Sequence, residues 1–201
     1  MRAYVREKGC LLYDIGEGVC HQLLPERGHA LPGGLIVGAD SHTCTYGAVN
    51  CAATGVGSTD LAAAAFTGKL WFRVPESMKF FCHGQWPKGV YSKDLILSMI
   101  GDVGADGATY MSAEYLGPAI SALDMDARFT VSNMAVEMGA KFGLMEADDR
   151  TVAWVKQCTE GRLYPVLSDD DAAYADVREY DVGALVPVVA KPHRVDTVCP
   201  V

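Results

Sequence analysis

Apolar positions in this chain come in short runs cut by glycine and proline, and the runs alternate between strand-like and helix-like spacing. Leu35, Ile36 and Val37 stand between Pro32-Gly33-Gly34 and Gly38. A largely β-branched run bounded by turn residues fits a central strand of a parallel sheet. Before it, the pattern predicts the end of a first helix, a strand at Leu11-Leu12-Tyr13, a break at Gly16 and Gly18 that leaves His21 on a turn, and a turn-rich connection over 25–33. After it, residues 48–54 are small and helix-permissive. A helix over 61–67 follows, with Ser58 or Thr59 as its N-cap, Asp60 in its first turn and Gly68 as its stop.

The texture changes at Val74-Pro75-Glu76, which marks a domain boundary between residues 1–75 and 76–201. The second part reads as a strand over 78–84, a turn at 85–89, and an amphipathic helix over 92–100 with Ser92 as N-cap and Asp94 near its positive end. A glycine loop at 101–107 and a strand over 109–116 follow. A helix over 124–138, capped by Asp124 and stopped by Gly139 and Gly143, leads to a strand at 144–146, a short helix over 148–155 and a strand over 174–181. The tail, 186–201, is punctuated by proline and shows no terminal element. Alternating strands and helices of this kind predict an α/β protein, with parallel strands in the first part and mixed strands in the second.

The acid, hydroxyl and imidazole of Asp40, Ser41 and His42 directly follow the predicted central strand. Ligands of open α/β sheets sit at the carboxyl ends of strands, so these three residues are candidates for chemistry; the alternative is a loop that caps the next helix. His21 is a candidate or an ordinary histidine. Asn133 and Glu137, four apart on one helix, face a common ligand or form a solvated polar pair. Gly55-x-Gly57 lacks the further residues of a nucleotide loop, and close helix packing explains it better. The 101–107 loop lacks the spacing of a calcium site, and Ser168-Asp169-Asp170-Asp171 reads as a helix cap before it reads as a metal cluster.

The chain has 201 residues, half of them hydrophobic, which is enough for a sizeable core. A formal net charge of -8, with no basic cluster, argues against a nucleic-acid surface. Seven cysteines (Cys10, Cys20, Cys44, Cys51, Cys82, Cys158 and Cys199), odd in number and with no CxxC pair, suggest a reducing compartment and mark no metal site by spacing. The first residues have no apolar signal core, and the longest apolar run, 61–66, is too short to cross a bilayer. The expectation is a soluble, cytoplasmic protein without membrane or nucleic-acid partners.

Four stretches tie these hints together: GVCHQLLPERG, GLIVGADSHTCTYGAVNCAATGVGSTDLAAAAFTGKLWFRVP, GVYSKDLILSMIGDVGADGATYMSAEYLG and RFTVSNMAVEMGAKFGLMEADDRT. Over essentially its whole length the chain resembles the aconitase superfamily, in the branch of large subunits of isopropylmalate dehydratase-like, homoaconitase-like and 2,3-dimethylmalate dehydratase-like enzymes. The resemblance implies three-layer α/β domains, with 1–75 as the C-terminal part of a first domain and 76–201 as nearly all of a second. It implies reversible dehydration of a hydroxy-di- or tricarboxylate on a 4Fe-4S cluster, with a separate small swivel-domain subunit as partner. By the family's motifs, His21 pairs with Asp40, His42 acts at the reacting hydroxyl, Ser41 contacts substrate, Asn133 lies beside the cluster without ligating it, and Glu137 lies beside the hydroxyl. The family's cluster-ligating cysteine motifs have no match here; Pro192, His193 and Asp196 match the segment that precedes the first of them. The resemblance therefore implies an internal fragment of a large subunit, with no cluster ligands and inactive alone. A non-catalytic binding or regulatory module, or a purely structural core, are the readings from other classes.

Overall fold

The computed structural model describes residues 2–201. It begins with two short helices, α1 (Arg2–Lys8) and α2 (Cys20–Glu26), and His21 stands in the first turn of α2. Leu11 to Tyr13 form no strand, and Pro25, expected in a turn, is a buried residue of α2. The predicted central strand is present as β1 (Leu35–Gly38) and runs parallel to β2 (Ala52–Gly55), with Leu35 opposite Ala52 and Gly38 opposite Gly55. The 48–54 stretch is thus the end of the crossover and a strand, where small residues suggested helix. Ala52 and Ala53 are extended because β1 offers them a partner, a non-local gain that outweighs alanine's local preference.

The crossover holds a 3₁₀ segment, Ser41–Val49. Its sequence, SHTCTYGAV, explains that geometry. Thr43 Oγ1 donates to the Asp40 carbonyl at 2.7 Å and Thr45 Oγ1 to the His42 carbonyl at 2.6 Å, so both hydroxyls reach back three residues. Such side-chain bonds compete with the α-helical ladder. The segment lies directly on a later strand, and Gly47 meets the Gly143 carbonyl so closely that a Cβ on Gly47 would collide with that oxygen. Gly47→Ala is expected to cost about 1–3 kcal/mol through overpacking against backbone that cannot yield. Urea unfolding of the chain measures it, and an unchanged midpoint would refute the crossing.

Helix α3 (Ser58–Thr67) follows, ended by Gly68 in a left-handed conformation; its N-cap is Gly57, without a side-chain cap. The main sheet then has the order β5-β4-β3-β6, formed by β3 (Ser77–His83), β4 (Ser112–Leu116), β5 (Phe142–Met145) and β6 (Asp176–Asp181). All of its pairings are parallel, which corrects the expectation of a mixed second sheet. Among the described residues the one antiparallel pair is separate: β7 (Val188–Ala190) and β8 (Val198–Pro200) form a small hairpin in the tail.

Helix α4 (Ser92–Val103) is capped by Tyr91 with Asp94, and it takes in the first residues of the expected glycine loop. The short α5 (Pro118–Ser121) precedes α6 (Met125–Asn133), whose N-cap Asp124 accepts from the Ala127 amide. The predicted helix to 138 ends early, and Met134–Met138 tighten to 3₁₀ before Gly139. Helix α7 (Asp149–Cys158) is capped by Asp148, and Ser168-Asp169-Asp170-Asp171 cap no helix.

Phe80, Leu95, Ile96, Met99, Ile100, Tyr115, Val131, Met138 and Met145 form the main core between α4, α6 and the four-stranded sheet. A smaller core joins Ala30, Tyr46, Val49, Cys51 and Ala53 to Met125 of α6 and Val155 of α7. The 3₁₀ segment 41–49 is therefore wedged between the two. Among the described residues no helix is long and apolar enough to cross a membrane.

Candidate active site

Asp40, two residues past β1, has extended backbone and caps the 3₁₀ segment, accepting from the His42 amide at 2.7 Å. The same oxygen, Oδ1, lies 3.0 Å from His21 Nε2 and 3.7 Å from His42 Nδ1. Because Asp40 is fixed by the cap, it fixes the ring of α2 that leans on it. Tyr46 reinforces that approach by donating to the Cys20 carbonyl at 3.2 Å. The His42 amide is the main reason why the Asp40 carboxyl is held below its ordinary range; partial burial opposes this, and the two imidazoles add to it. A depressed carboxyl contributes stability above its unfolded value that is lost as pH falls through the lower folded value. Asp40→Ala should cost about 0.5–2 kcal/mol at neutral pH, and Asp40→Asn much less, because the amide oxygen can still cap. Equal urea midpoints for the two variants would contradict the capping role.

His42 is held on three sides. Ser41 Oγ lies 3.2 Å from Nδ1, and Glu137 Oε1 lies 3.3 Å from Nε2. Glu137 comes from the second 3₁₀ segment, just before β5, so residues 95 apart meet because segment 41–49 packs on β5. Both His42 and Glu137 keep about a third of their side-chain surface open (35% each), enough to reach a ligand. Asn133, at the end of α6, turns to another partner than Glu137: its amide donates to Thr45 Oγ1 at 2.8 Å. All six residues singled out from the sequence (His21, Asp40, Ser41, His42, Asn133 and Glu137) thus gather around one 3₁₀ segment.

Thr45 was not among them. It links Asn133 to the His42 carbonyl, and only its place three residues after His42 in a Thr-rich run pointed to it. Two cavities flank the segment. One, of about 490 Å³, is lined by Ser41, Trp71, Phe72, Tyr110 and Lys141; the other, of about 570 Å³, by His21, Thr45, Lys93, Asn133 and Trp154.

Burial pushes the thiols of Cys44 and Cys82 up to about 12 and that of Cys51 to about 11, which disfavours the thiolate a metal needs. Among the described residues no group of three or more His, Cys, Asp or Glu side chains could hold a metal ion.

Parallel α/β layers thus place two linked imidazole–carboxylate pairs beside open cavities. A model of the aconitase family (aconitate hydratase) matches residues 1–201. The chain belongs to the aconitase family. It is 56% identical over 203 residues to the probable 3-isopropylmalate dehydratase large subunit of Methanosarcina mazei, covering 100% of this chain and 48% of that protein. It is 52% identical to 3-isopropylmalate dehydratase large subunit 1 of Methanopyrus kandleri (100% and 48% covered), and 52% identical to the probable methanogen homoaconitase large subunit of M. mazei (100% and 52%). The chain spans about half the length of the curated relatives it matches.

Proposed function

We propose that this chain is the part of a hydro-lyase large subunit that carries the acid–base residues for reversible dehydration of a hydroxy-di- or tricarboxylate, with 3-isopropylmalate as the favoured substrate and leucine biosynthesis in the cytoplasm as its setting. The observation that carries the reading is the contact of His42 Nε2 with Glu137 Oε1, made beside the capped Asp40–His21 pair.

Loss of water from a hydroxy acid needs a proton delivered to the leaving oxygen and a proton removed from the neighbouring carbon. In our reading the Glu137–His42 pair, in contact across 3.3 Å, delivers a proton to the hydroxyl as its C–O bond breaks. Asp40 orients His21, Ser41 contacts the substrate, and Asn133 with Thr45 shapes the adjoining wall. The base that takes the carbon-bound proton belongs to a separate small subunit, and addition of water reverses each transfer. The 4Fe-4S cluster implied by the family would polarise the C–O bond as a Lewis acid. Among the described residues no side-chain group fits its ligation, and in our reading its ligands lie outside this chain.

Homoaconitase activity, on a tricarboxylate, is the second reading; the 52% identity to the M. mazei homoaconitase-named subunit favours it. Both are tested by producing the large subunit with its small subunit, loading the cluster anaerobically and following the ultraviolet absorbance of the unsaturated acid. Turnover of 3-isopropylmalate in preference to homocitrate and citrate is expected. An assembled, cluster-loaded enzyme that dehydrates none of them would sink the proposal.

A further inference from the structure

Side chains pin the backbone of His42 at both ends. Its amide donates to Asp40 Oδ1 at 2.7 Å, and its carbonyl accepts from Thr45 Oγ1 at 2.6 Å. Hydrogen bonds are directional, so two of them on flanking peptide groups set the direction in which the His42 ring leaves the chain. Asp40 makes the first pin as part of its cap. The second pin reaches beyond its own turn.

Thr45 is buried, and its hydroxyl also accepts from Asn133 Nδ2 at 2.8 Å. A hydroxyl has one proton, and two oxygens 2.6 Å apart need it between them, so that proton points to the His42 carbonyl. Only an acceptor is left for Asn133, which must turn the amino end of its amide to Thr45. Asn133 is the residue from which the second 3₁₀ segment, Met134–Met138, starts, and Glu137 follows four residues later. The Cys44 thiol adds a weaker bond to the Asn133 carbonyl at 3.5 Å. One hydroxyl therefore stands between the main chain that carries His42 and the joint that leads to Glu137. Thr43 shows the simpler case. It is buried in the same segment and donates to the Asp40 carbonyl at 2.7 Å, but its hydroxyl packs on Gly38 of β1.

We propose that Thr45 is a positioning residue for the acid–base pair, acting through the His42 carbonyl on one side and Asn133 on the other. The contact of His42 with Glu137 is partly open to solvent, whereas the Thr45 link is buried and holds the two segments in place when a ligand competes for either group. The catalytic consequence rests on the hydro-lyase reading; the link itself does not.

Thr45→Val removes the hydroxyl at nearly constant volume, and Thr43→Val is the matched control that removes a turn bond alone. In the ¹⁵N-labelled chain, Thr45→Val should shift the Asn133 side-chain amide and the Glu137 backbone amide, Thr43→Val should leave both in place, and Thr45→Ser should restore them. In the assembled enzyme Thr45→Val should lower kcat at least about tenfold with KM within about threefold, while Thr43→Val and Thr45→Ser keep both within about threefold of wild type. Unmoved resonances in Thr45→Val, equal movement in Thr43→Val, or a kcat of Thr45→Val within about threefold of wild type overturns the proposal. If Thr45→Val does not fold, Asn133→Leu cuts the same link from the other side with the turn bond intact, and unmoved His42 ring resonances in that variant overturn the proposal equally. An inactive wild-type assembly would count against the hydro-lyase reading alone, and the spectra would still decide for or against Thr45.

Discussion

Glu137→Gln is expected to lower kcat of the assembled enzyme by about 10²–10⁴-fold, the usual share of a positioned proton donor. The amide matches the carboxyl in size and can still lie against His42 Nε2, so the second 3₁₀ segment should stay in place. What it loses is the ability to give and take a proton. Removal of an interaction made only in the transition state lowers kcat and kcat/KM together, whereas lost ground-state binding would raise KM alone. Steady-state kinetics with an unchanged melting temperature distinguishes the two. A variant within about threefold of wild type would remove Glu137 from the proton path.

Arg128→Met should destabilise the chain by about 3–5 kcal/mol, the cost of breaking a buried ion pair from one side. Arg128 is a fully buried side chain at 1% exposure, and it ties several elements together. Its guanidinium pairs with both oxygens of Asp148 and donates to Thr151 Oγ1 at 2.9 Å, to the Ser121 carbonyl at 2.9 Å and to the Leu123 carbonyl at 3.2 Å. Methionine would fill much of the space and leave these acceptors without a donor. Burial alone would push the Asp148 carboxyl up, but hydrogen bonds from Arg128 and the Thr151 amide outweigh it, and the group lies below its ordinary range. The pair's contribution is therefore present above the unfolded carboxyl value, about 3.9, and fades as pH falls through the lower folded value. Urea midpoints for wild type and Arg128→Met should differ most at neutral pH and converge in acid. A constant difference down to strong acid would contradict this linkage.

Elements with strong local signals were legible in the sequence. β1 stood out because turn residues bracket an apolar run, α3 because Gly68 stops it, and α6 and α7 because Asp124 and Asp148 stand at their caps. β2 was not, since alanines carry no strand signal until β1 pairs with them. The tail hairpin was hidden in the same way, because its strands are three residues long and depend on each other. Whether the second sheet is parallel is a matter of non-local register, which no local pattern encodes. Within the site, the sequence resemblance picked out Asp40, Ser41, His42, Asn133, Glu137 and His21, and the fold brings all six to one segment. Thr45 escaped because a threonine in helical surroundings looks ordinary until its neighbours are known.

The meeting of Gly47 with Gly143 sets how far segment 41–49 can stand from β5, and with it how far His42 can stand from Glu137. The spacing of the acid–base pair is thereby governed by two main chains in van der Waals contact. In a saturation library, Gly47 should fail a screen for folding, whereas His42 and Glu137 should pass it and fail only a screen for turnover. The two selections would separate the gauge that spaces the reacting groups from the groups themselves.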